Sequence, residues 1–201
     1  RSEHVKQLDE QFEGRPGIGY GLSETNALAT LGNGDEYVNH PSSTGRVVPP
    51  LTEIKILDSD WNEVAEGELG EIAIKTPASM VGYWKNDEAT KECMNEDGWF
   101  RTGDLGKFEG PFLYIVDRVK DMVIRGGENI ACPEVEAAIY EHENVLEVCV
   151  FGVPDTRLGE IVSCCIYLKP GAVLDEEELR DFLANKLAPF KIPAVFNFSE
   201  I

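Results

Sequence analysis

G-W-F-R-T-G-D-L-G at 98–106 and D-R-V-K-D-M-V-I-R-G-G-E-N-I-A-C-P-E-V-E at 117–136 decide how the rest of the chain is read. Their Gly, Asp and Arg residues lie either side of a short apolar stretch, residues 112–116, and neither run has the composition of core filling. Thr102-Gly103-Asp104 is expected to end one strand in a turn that carries a carboxylate. Arg118 is expected to follow a second strand that returns beside the first. A carboxylate and a guanidinium on neighbouring strand ends can grip a sugar diol, Asp104 accepting from the hydroxyls and Arg118 donating to their oxygens. A structural Asp–Arg bridge that closes a turn is the alternative.

Outward from this stretch, short strands are expected at 53–57, 69–75, 100–108 and 112–116. Gly-, Pro- and Asp-rich turns separate them, the pattern of a small antiparallel β-barrel or sandwich. One helix interrupts it, with Asn86 as N-cap and Asp87 and Glu88 in the first turn. On the N-terminal side, Val5, Leu8 and Phe12 have helical spacing, which predicts a helix over 3–13 ended by Gly14. Pro16-Gly17 then turns into a strand at 18–20, and this unit reads as the tail of a larger α/β domain. Beyond Lys120 the expected order is strand, helix, strand, strand, helix, strand. Pro133 takes the first helical position, with Val135, Ala138 and Ile139 as the buried stripe. Strands follow at 145–153 and 160–168. Asp175 and Glu178 begin the last helix, Leu179, Phe182, Leu183 and Leu187 face the core, and Pro189 stops it. The polar run at 117–120 is the expected domain boundary.

The chain has 201 residues, 42% hydrophobic and 27% charged, enough to bury a core without staples. No apolar run approaches the ~20 residues of a membrane-spanning helix, and no secretory leader is expected. It begins at Arg1 and not at Met, so it reads as a processed or excised piece. Thirty-seven acids against 18 bases give a net charge of −19, which repels a phosphate backbone and argues against nucleic acid as a partner. A nucleotide is still admissible, because Mg²⁺ and one local Arg can neutralise a phosphate. Five cysteines stand at 93, 132, 149, 164 and 165 without a C-x-x-C pair or a His at ligand spacing. Free thiols in a reducing cytoplasm are expected, with Cys164 and Cys165 on opposite faces of one strand. No catalytic cysteine is expected, since His4, His40 and His142 come with no triad-like neighbourhood.

Three ordered segments, Y-G-L-S-E-T at 20–25, W-F-R-T-G-D-L at 99–105 and D-R-V-K-D-M-V-I-R-G-G-E-N-I at 117–130, resemble core motifs of the adenylate-forming enzymes. That superfamily comprises acyl- and aryl-CoA synthetases, luciferase and the adenylation domains of peptide synthetases, and the G-G-E-N-I version resembles the acyl-CoA synthetase branch. The resemblance runs from about Tyr20 to the end of the chain. It implies an α+β fold: residues 1–44 the tail of the large N-terminal α/β domain, 45–116 a β-barrel subdomain, 117–120 a hinge, and 121–201 a C-terminal α+β lid domain, truncated.

The same resemblance assigns roles. Tyr20, flanked by Gly19 and Gly21, would stack adenine; a core tyrosine is the alternative. Ser23 and Glu24 would serve a phosphate oxygen and Mg²⁺, the donors a hard cation takes, or else cap the next helix. Ser23 stands where the family usually has Thr, a change that keeps the hydroxyl. Asp104 and Arg118 would hold the ribose. Lys120 falls where the hinge is placed, and a plain surface lysine is the alternative. Gly126, Gly127 and Glu128 would receive the pantetheine arm of CoA, unless the two glycines only make a tight turn. The segment G-V-P-D at 152–155 with Gly159-Glu160 reads as structural.

No Ser/Thr/Gly-rich phosphate loop precedes Tyr20, and no P-K-T-x-x-G-K-like stretch lies near Ile201, so both are expected to lie outside these residues. The implied activity is an ATP-dependent acid–CoA ligase, with ATP and Mg²⁺ as cofactors, CoA as co-substrate and a medium- or long-chain fatty acid as the acid. These residues alone are expected to be inactive. Carrier-protein-directed adenylation, or a non-catalytic nucleotide-binding or interaction module, are the alternatives.

Overall fold

In the computed structural model, Val5 and residues 16–199 are described. The helix expected over 3–13 falls outside the described residues, except for Val5, which is buried. The chain divides between Val116 and Asp117 into two compact units. The class is α+β.

The first unit opens with a three-stranded antiparallel sheet: β1 Gly17–Tyr20, β2 Thr30–Asn33 and β3 Arg46–Val47, in that spatial order. A short helix, α1 Asp35–Asn39, follows β2. The stretch between Tyr20 and Gly45 was not legible as regular structure. What the described residues form there is antiparallel, with Tyr20 paired to Thr30. Gly21 shows why the chain turns at that point: a Cβ there would lie 1.3 Å from the Ala27 carbonyl oxygen.

Four strands follow: β4 Glu53–Leu57, β5 Gly70–Lys75, β6 Phe100–Glu109 and β7 Phe112–Arg118, paired in chain order. Ile72 and Ile74 of β5 and Leu113 of β7 are fully buried, and Tyr20 and Leu22 pack against this cluster. The strand positions agree with the alternating pattern, but the expected barrel does not close. Among the described residues the four strands make an open sheet with β4 and β7 outermost, because four twisted strands are too few to curl shut. Helix α2, Asp87–Cys93, begins as expected on Asn86, whose Oδ1 accepts the Ala89 N–H at 3.1 Å.

In the second unit, β10 Val145–Asp155 and β11 Gly159–Leu168 form a long antiparallel pair, and β12 Val195–Ser199 runs parallel to β11. Ahead of them lie β8 Val123–Arg125, β9 Glu128–Ile130 and helix α3 Cys132–Tyr140. One expected strand after Lys120 is thus a two-strand hairpin. Gly126 and Gly127 have φ of +60° and +91°, the left-handed pair that a two-residue hairpin turn requires. Pro133 sits in the first turn of α3, one residue past the expected position.

Val135 and Ile139 of α3, and Leu179 and Leu183 of α4 Glu176–Ala184, are fully buried against Val162 and Ile166 of β11. Each such side chain contributes about 1.5–3 kcal/mol on burial. The Asp175 cap on the Glu178 N–H, 2.9 Å, contributes about 1 kcal/mol, so packing outweighs capping in fixing α4. The helix ends at Ala184, before Pro189, which opens a separate turn of 3-10 helix at Pro189–Lys191. Strand β10 is an outer strand of this sheet. Its Val148 and Val150 N–H groups donate to Tyr140 Oη (3.3 Å) and Glu136 Oε1 (2.9 Å), both on α3. Cys164 is buried and Cys165 half-buried, as alternation along β11 requires.

Candidate functional site

Thr102-Gly103-Asp104 does not end a strand: it forms a bulge inside β6. Pairing with β5 jumps from Ala73–Arg101 to Glu71–Leu105, so three residues of β6 stand opposite one of β5. Each residue of the bulge has a separate task. Thr102 Oγ1 donates to the Ile72 carbonyl (2.9 Å) and accepts the Asp104 N–H (3.1 Å). Gly103 takes φ of +76°, open to glycine at little cost. Its N–H donates to Glu71 Oε1 at 3.0 Å, while Glu71 Oε2 receives Arg101 at 3.1 Å. Arg101 also stacks on Trp61, 4.3 Å from the ring centroid. The outcome is a half-buried Asp104 aimed at β1, where its Oδ2 accepts the Tyr20 hydroxyl at 2.7 Å.

Tyr20 and Asp104 therefore meet although 84 residues separate them. Tyr20 ends β1 half-buried, with part of its ring on the core and its hydroxyl on the carboxylate. The missing side chains of Gly19 and Gly21 make room for the chain itself: a Cβ on Gly19 would lie 3.1 Å from Leu28 Cδ1. Ser23 and Glu24 open a single 3-10 turn, Ser23–Thr25, with Ser23 exposed and Glu24 half-buried. Glu24 Oε1 accepts the Tyr83 hydroxyl at 3.1 Å. Burial, then the bond to Glu24, pushes the Tyr83 phenol above its ordinary value, so it stays a donor. Glu24, Tyr83, Thr102 and Gly103 line one open cleft of about 420 Å³.

Among the described residues no group of three or more His, Cys, Asp or Glu side chains is placed to hold a metal. A protein cage for Mg²⁺ is thus absent there. One carboxylate of the Glu24 kind does fit a Mg²⁺ bound chiefly through phosphate and water.

In the second unit, Asp117 is buried and brackets a turn. Its Oδ1 accepts the Arg118 N–H (2.8 Å) and its Oδ2 the Cys132 N–H at the start of α3 (2.9 Å). The Arg118 carbonyl accepts the N–H groups of Asp121 (3.1 Å) and Met122 (3.2 Å), and Lys120 stands exposed in that turn. The Cys132 thiol donates to the Asp121 carbonyl, and burial, then the Asp117 charge, pushes it up to about 12. Burial also holds the Cys93, Cys149 and Cys164 thiols above their ordinary value, which keeps them poor nucleophiles. Gly126, Gly127 and Glu128 lie exposed at the tip of the β8–β9 hairpin. A Cβ on Gly127 would meet nothing within 4 Å, so the turn's conformation, and not crowding, calls for glycine there.

Family models match this chain twice: AMP-binding enzyme over residues 1–84, and AMP-binding enzyme C-terminal domain over residues 134–200. The chain belongs to the AMP-binding enzyme family. A long-chain-fatty-acid–CoA ligase of Bacillus subtilis (strain 168) is 44% identical over 198 residues, 96% of this chain and 35% of that protein. The crystal structure of ATP-bound MatB from Rhodopseudomonas palustris superposes with a TM-score of 0.89 at 32% identity, over 98% of this chain and 39% of that one. O-succinylbenzoate coenzyme A synthetase (MenE) from Bacillus subtilis, in complex with ATP and magnesium ion, gives 0.83 at 31% identity, over 97% and 40%. The chain thus spans about a third of the length of the curated relatives it matches.

Within this member of the family, the structure brings Tyr20 to Asp104 and Glu24 to Tyr83 in the first unit. Arg118, Lys120, Gly126, Gly127 and Glu128 belong to the second. Sequence reading missed Glu71, Tyr83 and Asp117. An acid placed among the apolar residues of G-E-I-A-I-K at 70–75 was the available signal for Glu71; nothing local marked Tyr83.

Proposed function

We propose that the protein is an ATP-dependent acid–CoA ligase that acts on a medium- or long-chain fatty acid. The observation that carries this reading is the 2.7 Å bond between Tyr20 and Asp104, which sets two separate motifs at one place. The 44% identical fatty-acid ligase supports the acid class. In the proposed reaction a carboxylate oxygen attacks the α-phosphorus of ATP, releasing pyrophosphate and forming acyl-AMP. The CoA thiolate then attacks the acyl carbon, and AMP leaves with the electron pair of the mixed anhydride's acyl C–O bond.

Such chemistry asks the protein mainly for positioning and charge compensation. Tyr20, between Gly19 and Gly21, is proposed to pack against adenine. Asp104 accepts from ribose hydroxyls, a role that turns its carboxylate partly away from Tyr20, and Arg118 donates to the ribose. Ser23 serves a phosphate oxygen. Glu24 would hold Mg²⁺ together with phosphate, and the ion would neutralise phosphate charge. Gly126, Gly127 and Glu128 line the path of the pantetheine arm. Residues 117–120 act as a hinge at Lys120 between adenylation and thioester formation. Residues 1–44 belong to the large domain, and residues 121–201 to a lid.

The test uses full-length protein with ATP, Mg²⁺, CoA and a series of fatty and aryl acids, reading pyrophosphate release and the acyl-CoA mass. Acid-dependent release with a medium- or long-chain thioester as the preferred product is expected, and none from residues 1–201 alone. Preference for an aryl acid would remove the proposed substrate. Transfer to a carrier thiol in place of CoA would remove the second step.

A further inference from the structure

The segment G-V-P-D at 152–155, with Gly159-Glu160, has no role in the proposed reaction, yet it meets the hairpin that carries Gly126 and Gly127. The hairpin has two strands of three residues, too short to hold an orientation alone. Its ladder to the main sheet is one residue pair, Arg125 with Gly159. At its base the hairpin buries Val123 and Ile130 in the core, and nearer the tip two further bonds tie it down. The Gly126 N–H donates to the Leu158 carbonyl at 2.7 Å, and the Ile124 N–H donates to Glu160 Oε2 at 2.8 Å. Where the backbone ladder stops, a carboxylate continues it, with a charge-assisted bond about twice as strong as a neutral one.

The surroundings are shaped to keep that carboxylate in place. A Cβ on Gly152, in the neighbouring strand β10, would lie 3.2 Å from the Glu160 carboxyl carbon and both its oxygens. A methyl at 152 would push the carboxylate a few tenths of an ångström from this place. Asp155 Oδ1 accepts the N–H groups of Arg157 (2.9 Å) and Leu158 (2.8 Å), which fixes the turn whose Leu158 carbonyl holds Gly126. The Leu158 N–H first, and the Arg157 N–H second, hold the Asp155 carboxyl below its ordinary value.

We infer that Glu160 is a positioning residue for the thioester step: it fixes the Gly126-Gly127 turn through the Ile124 N–H, with Gly152 as its slot and Asp155 as support. This rests on the CoA role proposed for that turn.

The experiment compares full-length protein with Glu160→Ala and Glu160→Gln. Hydrogen exchange over residues 123–128 reads the brace itself. Glu160→Ala is expected to speed exchange there about tenfold, and Glu160→Gln, whose amide oxygen still accepts, to restore most of the protection. Acyl-AMP formation should stay within twofold in both variants, while transfer from preformed acyl-AMP to CoA falls about tenfold in Glu160→Ala and recovers in Glu160→Gln. Gly152→Ala, which crowds the carboxylate without removing it, should change exchange and transfer in the same direction by a smaller factor. Unchanged exchange in Glu160→Ala would overturn the brace. Faster exchange with both half-reactions intact would leave the brace standing and overturn the role of the turn in thioester formation. Equal loss of both half-reactions would mark Glu160 as a general stability residue and overturn the inference.

Discussion

Two glycine-bearing segments of this chain are built in opposite ways. The bulge at Thr102-Gly103-Asp104 is fixed from within the sheet: Thr102 bridges two backbone groups, and Glu71 takes the Gly103 N–H and Arg101 together. The turn at Gly126-Gly127 is bare at its tip and held from behind, by Leu158, Gly159 and Glu160. The first presents one side chain, so every neighbouring atom serves to aim it. The second is a hairpin tip whose two glycines take the left-handed conformation the turn needs. Aiming a carboxylate from a bulge and closing a two-residue hairpin are different problems, and the chain meets both with glycine at positive φ where a Cβ would have room but the backbone would be strained.

The largest break in this contrast should come at Lys120, in the turn between the two segments. Proline fixes φ near −65° and removes an N–H, so Lys120→Pro restrains rotation at that point. If the turn must rotate between half-reactions, acyl-AMP still forms while single-turnover transfer to CoA falls by about a hundredfold or more. Equal loss in both steps would point to misfolding, and no loss in either would take Lys120 out of the mechanism.

A smaller effect is expected on the bulge side. Asp104→Ala removes charge-assisted contacts worth about 1.5–3 kcal/mol each, which raises the ATP constant roughly ten- to a hundredfold with the fold retained. Comparing ATP with its 2′-deoxy analogue separates the causes: if both respond equally to the mutation, the ribose assignment fails.

Next in size is Thr102→Val, which keeps the side chain's volume but deletes both bonds of its hydroxyl. A loss of about 1–3 kcal/mol in stability is expected, read from the urea midpoint, with Asp104 less well aimed. A shift in ATP affinity without any loss of stability would mean that Thr102 acts on the ligand and not on the bulge.

The smallest effect is a rate. Because burial keeps the Cys132 thiol protonated at pH 8, and the thiol donates to the Asp121 carbonyl, alkylation there should be at least about tenfold slower than at exposed Cys149. Rates that are equal would show that the turn carrying Lys120 opens freely.

Much of this was legible in the sequence where the cause is local. The Asn86 and Asp175 caps, and the buried stripes of Val135 with Ile139 and Leu179 with Leu183, follow from neighbours within a few residues. What escaped depends on distant partners. The Gly103 N–H meets Glu71 from 32 residues away, so T-G-D read as a strand end when it is a bulge. Strand alternation marked four strands but carries no count of how many are needed to close a barrel. The β8–β9 hairpin was missed because three residues per strand are too few to show a period. In the candidate site the motif residues were visible as residue types, whereas Glu71, Tyr83 and Asp117 act only once strand register and packing bring them in.

The outer strand β10 has one more consequence. An exposed strand edge is a template on which other chains add, and proteins avoid this by covering or charging it. Here Tyr140 and Glu136 occupy the outward N–H groups of Val148 and Val150, two rungs that an incoming strand would need. Replacing that carboxylate or that hydroxyl would do little to the fold's interior. It would turn a closed margin into an adhesive one, and self-association would be the first symptom.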